Sequence, residues 1–195
     1  MACAMDAMKR RLDVAAGNLA NVSSDGFRRR VAHVSLGAGG VRTWATLDET
    51  QGALRRTGRS FDVAVTGDGG FFVCDAHGKA SVERTASFTR DAGGRLVDPR
   101  GRCLLGDHGP LRVAADGTID ERGAVREAGR VVAHLRLSGR PAVQSGFLAS
   151  SNVDAVAEMV DVLSAQRAFE TAQKSLAAID DARAKAANDV ARVRS

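Results

Sequence analysis

A chain of 195 residues, 44% of them apolar, is long enough to bury a core, but with 4% aromatics, one Trp and no Tyr that core rests on Val, Leu, Ala and a few Phe. No run approaches eighteen consecutive apolar residues, which excludes a membrane-spanning helix, and three cysteines cannot all pair within one chain, which excludes a disulfide framework. The net charge of +5 is uneven: residues 1–60 hold ten Lys/Arg against five Asp/Glu, 61–150 twelve against eleven, and 151–195 six against seven.

The opening, Met1-Ala2-Cys3-Ala4-Met5-Asp6, lacks the charged-then-apolar order of a cleavable signal. Met5, Met8, Leu12, Ala15, Leu19 and Val22 then recur at steps of three and four, which predicts an amphipathic helix over 3–21. The spacing is the a/d stripe of a coiled coil, an apolar edge that needs another helix. Gly17 inside it costs about 1 kcal/mol relative to Ala. Asn18 and Asn21 flank Leu19, where amides can satisfy loose carbonyls at the helix end. Ser23-Ser24-Asp25-Gly26 stops the helix.

Residues 27–60 carry no clear period; Gly37, Gly39 and Gly40 interrupt them and Thr57-Gly58-Arg59-Ser60 reads as a turn. They are expected to form an extended connection, with Trp44 as an anchor into a groove. From Phe61 to about Leu137 the period becomes two. Phe61, Val63 and Val65 alternate with Asp62, Ala64 and Thr66, and Phe71–Cys74, Ala80–Arg84, Ser87–Arg90, Arg95–Val97, Cys103–Leu105, Leu111–Val113 and Val131–Leu137 follow. Gly- and Asp-bearing turns separate them, as in a compact antiparallel β domain.

From Ser150 the helical period returns. Ser151, Asn152 and Asp154 can cap a helix that continues to about Arg192, roughly 60 Å long at 1.5 Å per residue. Val156, Met159 and Leu163 lead one seam; Val162, Ala165, Phe169, Ala172, Leu176 and Ile179 continue on a shifted face. Such a change of phase lets one helix meet two neighbours.

Signatures of catalysis are absent: there is no G-x-S-x-G, no P-loop and no H-E-x-x-H. Gly67-Asp68-Gly69-Gly70 runs into a strand, so it offers no helix N-terminus to a phosphate. Cys74-x-x-His77 with Cys103-x4-His108 is the best zinc set, but the usual C-x-x-C pair is missing. Cys74 and Cys103 could sit on neighbouring strands, and buried small apolar side chains are the favoured reading of both. The basic excess lies in Lys9-Arg10-Arg11, Arg28-Arg29-Arg30, Arg55-Arg56 and Arg59. A basic nucleic-acid-binding module is one alternative, yet the triplets lack interleaved aromatics, and a solvated face or half of a charge-matched interface is the commoner use. A small zinc-binding β-domain protein is the other alternative.

Ala16-Gly17-Asn18-Leu19-Ala20-Asn21-Val22-Ser23-Ser24-Asp25-Gly26-Phe27-Arg28 resembles the N-terminal signature of the bacterial flagellar rod and hook proteins. Ser151-Asn152-Val153-Asp154, Glu158-Met159-Val160 and Ala165-Gln166-Arg167-Ala168-Phe169-Glu170 resemble that family's C-terminal signature. Phe61–Val73, Phe88-Thr89-Arg90-Asp91, Gly94-Arg95-Leu96-Val97 and Gly101 are similar to its middle blocks, in the same order. Gly17 stands where the family commonly has Asn.

The resemblance implies a non-enzymatic axial protein of the flagellar basal body, close to the distal or proximal rod members that carry a middle β domain. It implies no cofactor, no metal and no small-molecule substrate, neither nucleic acid nor membrane insertion, and export without a cleavable signal through the flagellar type III apparatus. Partners would be other copies of itself and neighbouring rod and hook proteins, joined head-to-tail into a helical shaft. The expected fold is α+β: paired N- and C-terminal α-helices, coiled-coil-like, with an inserted antiparallel β domain. Its divisions are an N-terminal axial helix (1–26), an extended connection (27–60), a β-rich middle domain (61–149) and a long C-terminal axial helix (150–195). The expected subunit interface is Leu12, Asn18, Leu19, Asn21, Val22, Phe27, Val156, Met159, Leu163, Gln166, Arg167, Phe169, Leu176 and Ile179.

Overall fold

The structure is a computed structural model that describes residues 2–37 and 40–193. Two compact units share the chain. One takes the stretch through Val22, Arg28–Glu49 and the stretch from Val153; the other takes Ser23–Phe27 and Thr50–Asn152.

The first unit holds two helices, α1 (Ala2–Ala20) and α2 (Ala155–Val193), and a hairpin of β1 (Arg30–Gly37) and β2 (Gly40–Leu47). α1 packs on both α2 and the hairpin. Among the described side chains, Ala7, Ala15 and Asn18 are buried in α1, and Glu158 and Ala165 in α2. The hairpin pairs antiparallel from Arg30↔Leu47 to Gly37↔Gly40. His33 and Trp44, opposite each other in that ladder, stack with ring centroids 5.3 Å apart, leaving Trp44 45% exposed. Thus the stretch read as an extended connection contains a paired hairpin.

The second unit is made of short strands: β3 (Leu54–Arg56), β4 (Asp62–Thr66), β5 (Gly69–Cys74), β6 (Ala80–Glu83), β7 (Thr85–Ser87), β8 (Thr89–Arg90), β9 (Leu96–Val97), β10 (Cys103–Gly106), β11 (Gly109–Pro110), β12 (Thr118–Ile119), β13 (Ala124–Glu127), β14 (Arg130–His134), β15 (Leu137–Gly139), β16 (Ala142–Ser145) and β17 (Phe147–Ala149). The largest sheet runs β15-β5-β10-β9-β8, with β6 on β5 and β11 on β10; β12-β13-β14, β16-β4-β7 and β17-β3 form smaller ones. Val63, Val65, Phe71, Val73, Phe88, Leu96, Leu104, Val125 and Val143 fill one core. Phe71 and Phe88 meet edge-on at 5.8 Å, a favoured aromatic geometry. β4 is buried at Asp62, Val63, Ala64 and Val65 alike, so both its faces are covered, while β16 and β7 pair with its two edges. Where β5 meets β15, Gly69 faces Gly139, and a Cβ on Gly69 would lie 1.7 Å from the Ser138 carbonyl oxygen. Only glycine fits there, at φ +109°.

One turn recurs four times. Asp75, Asp91, Asp98 and Asp120 each accept, through Oδ1, hydrogen bonds from the backbone N–H groups two and four residues on. A glycine at the fourth position of each turn, Gly78, Gly94, Gly101 and Gly123, adopts positive φ. This is the side-chain mimic of a backbone turn that makes Asp frequent at such positions. In three of the four an arginine reaches the second carboxylate oxygen: Arg95 to Asp91, Arg102 to Asp98 and Arg126 to Asp120.

The expected fold class is overturned. Strands in several sheets predominate over the two helices, and the helices are not coiled-coil-like. The a/d spacing misled because a coiled coil needs large knobs buried in holes along two comparable helices. Here α1 has 19 residues and α2 has 39, the fully buried positions between them are Ala and polar residues, and α1 divides its contacts between α2 and a β hairpin.

Candidate assembly surface

The N-terminus of α2 is fixed by Asp154, whose Oδ1 accepts from the N–H groups of Val156 at 2.9 Å and Ala157 at 3.2 Å. That satisfies two of the donors a helix start leaves open and sets the phase of everything after it. At about 100° per residue, α2 has two opposite stripes. The inner one holds buried Glu158 and Ala165 with half-buried Val162, Phe169, Ala172, Leu176 and Ile179. The outer one holds Val156, Met159, Val160 and Leu163, which are 71%, 51%, 60% and 55% exposed.

The inner stripe carries a charge where apolar spacing leads one to expect a hydrophobe. Glu158 is 1% exposed, and its Oε1 accepts from Arg29 Nε at 2.5 Å. Arg29 also lies 3.7 Å from Asp161, which Arg11 bridges at 3.0 Å. The hydrogen bond from Arg29 to Glu158 raises the pKa of the Arg29 guanidinium above its ordinary value, against the effect of burial. Next to this cluster, buried Asn18 donates from Nδ2 to the Arg30 carbonyl at 2.8 Å and accepts the Arg30 N–H on Oδ1 at 2.9 Å. One amide thus pairs with the backbone of β1 as a strand would. Arg11, Asn18, Arg29, Glu158 and Asp161 line a cleft of about 340 Å³ in which the charges face their own partners.

Of the expected interface residues, Asn18 is buried; Leu12, Leu19, Asn21, Val22, Phe27, Phe169, Leu176 and Ile179 are half-buried; Val156, Met159, Leu163, Gln166 and Arg167 are exposed. Asn21 donates to the Gly17 carbonyl at 2.9 Å, closing the end of α1. Val160 completes the outer stripe and was not among the expected residues, although its position four after Val156 marks it. Arg29 and Glu158 were also missed. The available signal was an acidic residue at an inner-stripe position, since a buried carboxylate demands a cation.

Within the arginine clusters Arg28 bridges Glu49, Arg55 bridges Asp25 and Arg59 lies 3.7 Å from Asp62, besides the pairs made by Arg11 and Arg29. Among the described residues no three His, Cys, Asp or Glu side chains converge on a metal position.

Residues 144–189 match the family described as flagellar basal body rod FlgEFG protein C-terminal. The chain is 31% identical to the flagellar basal-body rod protein FlgF of Escherichia coli (strain K12), over 86% of this chain and 87% of that protein. It is 29% identical to the flagellar basal-body rod protein FlgG of Agrobacterium fabrum, over 92% and 94%, and 33% identical to the flagellar hook protein FlgE of Rhizobium meliloti, over 52% and 28%. Matches of this extent make the chain a member of the flagellar basal-body rod protein family.

Proposed function

We propose that the chain is a structural subunit of the bacterial flagellar rod, adding head-to-tail to copies of itself and to neighbouring rod and hook proteins, with no catalytic step. It resides in the basal body and travels there through the flagellar type III export apparatus. The observation that carries the reading beyond family membership is the outer stripe of α2. Val156, Met159, Val160 and Leu163 form a contiguous apolar surface on a helix whose opposite face is already engaged. Single exposed apolar residues need no explanation, but a continuous stripe marks a surface made to be covered.

Gln166 and Arg167 extend the outer stripe with hydrogen-bonding groups. Leu12, Asn18, Leu19, Asn21, Val22, Phe169, Leu176 and Ile179 hold the helix pair in the form that a neighbour meets, and Phe27 stands further along the chain. A contact in which the outer stripe of one copy meets a different face of the next is heterologous, and such contacts propagate instead of closing as a dimer. A shaft that transmits torque needs many apolar contacts that resist slipping, and no reactive group.

The test is complementation of a strain lacking this gene with the double variant Met159→Asp, Leu163→Asp. Both positions are exposed, so the purified variant should melt as the parent does. Cells should lose motility, and the variant should be missing from isolated basal bodies. Full motility with the double variant, or absence of the parent protein from basal bodies, overturns the proposal.

A further inference from the structure

Cys74 and Cys103 face each other directly across the β5–β10 ladder, each half-buried and each a free thiol. The register continues on both sides, so that Ala80, Cys74, Cys103, Val97 and Thr89 form one row across five strands of the largest sheet. The neighbours in sequence, Val73 and Leu104, are fully buried in the core. With period-two alternation the two thiols therefore sit on the opposite, outer face of the sheet. Directly opposed residues in an antiparallel pair have Cα atoms about 4.5 or 5.5 Å apart, and both separations lie within the span a disulfide accepts.

We propose that Cys74 and Cys103 are a disulfide-forming modification site, closed by a disulfide-containing oxidant, either a small-molecule disulfide or a thiol–disulfide oxidoreductase. One thiolate attacks the oxidant's S–S bond, forming a mixed disulfide and expelling one thiolate. The second cysteine thiolate attacks the protein sulfur of that mixed disulfide and expels the other. One S–S bond forms in the protein and one breaks in the oxidant; the two cysteines lose two electrons and two protons, which the two leaving thiolates take up as thiols. The bond ties β5 to β10 across the intervening β6, β7, β8 and β9 and closes a loop in the middle of the chain. Burial, with the neighbouring Cys103 thiol adding to it, pushes the Cys74 thiol above the ordinary range. The exchange is accordingly favoured at mildly alkaline pH, where more thiolate is present. The inference concerns the β unit alone and holds whatever the chain assembles into.

The experiment incubates the full-length Cys3→Ser protein with oxidised glutathione at mildly alkaline pH. Native thiol titration and non-reducing peptide mapping follow. The expected result is loss of both thiols, a Cys74–Cys103 linked peptide two hydrogens lighter than its reduced components, and a melting temperature about 10 °C higher than that of the reduced protein. The single variants Cys74→Ser and Cys103→Ser, in the same background, should stop at a mixed disulfide with glutathione. Two thiols that stay free, or two that each retain glutathione without a linked peptide, overturn the inference.

Discussion

Asp75, Asp91, Asp98 and Asp120 show how one side chain writes a turn. Each carboxylate draws the following backbone N–H groups onto one oxygen, and the glycine three residues on supplies the positive φ that closes the loop. At Asp75, Asp91 and Asp120 these bonds favour the charged form. Asp75 is held below the ordinary carboxylate range by the Lys79 N–H first, and Asp91 by the Arg95 N–H and then the Arg95 guanidinium. At Asp120 burial works in the opposite direction and is outweighed by the Ala124 and Arg122 N–H groups with Arg126. A carboxylate whose folded pKa is depressed stabilises the fold above the unfolded pKa, and that contribution is lost as pH falls through the folded value. The urea midpoint should therefore be level from neutrality down to about pH 5 and fall below about pH 4. Asp91→Asn should flatten part of that fall. Asp98 is the most buried of the four, 5% exposed, and also holds Arg102 at 2.8 Å. Asp98→Ala should cost about 2 kcal/mol in urea unfolding, because the Arg100 and Arg102 N–H groups lose their acceptor.

At the scale of elements, what was legible followed periodicity. Spacing predicts a helix over 3–21, and α1 spans Ala2–Ala20; the alternation at Phe61–Val65 marks β4, and Phe71–Cys74 lies within β5. β12, β16 and β17 have two to four residues each, too few for a period to show. The hairpin of β1 and β2 escaped because its exposed strands mix Arg, Ser, Thr and Leu with no clean alternation. The outer stripe of α2 could be read as a shifted seam, but the junction of α1, β1 and α2 could not. That junction rests on two polar devices, Asn18 against the Arg30 backbone and Arg29 against Glu158, and their partners are 12 and 129 residues apart in sequence. Arg29→Met should destabilise the helical unit by about 3 kcal/mol, since it strips a buried carboxylate of its close cation. Adding Glu158→Met should restore much of that loss, because an apolar pair of similar volume avoids the desolvation cost altogether. Helix-resolved hydrogen exchange measures both, and a double variant no more stable than Arg29→Met alone would contradict this account of the pair.

The whole molecule is two separately cored units threaded by one chain, which determines how damage spreads. Every residue of the apolar core from Val63 to Val143 belongs to the β unit, whereas α1, α2 and the first hairpin bury their own surfaces. Phe169 is half-buried on the inner stripe of α2, and Phe169→Asp puts a carboxylate into that apolar face with no designed partner. The helices depend on this packing, since isolated helical segments are marginal in water. The β core depends instead on its own ladders and on Phe71, Phe88 and their aliphatic neighbours. Phe169→Asp should therefore remove much of the helical circular dichroism at 25 °C while amides of Val63, Val65, Val73 and Leu104 keep the exchange protection of the parent. Loss of protection in both sets together would mean that the β unit needs the helices in order to fold. Retained protection would mean that the chain carries a sheet body whose stability is independent of the helices.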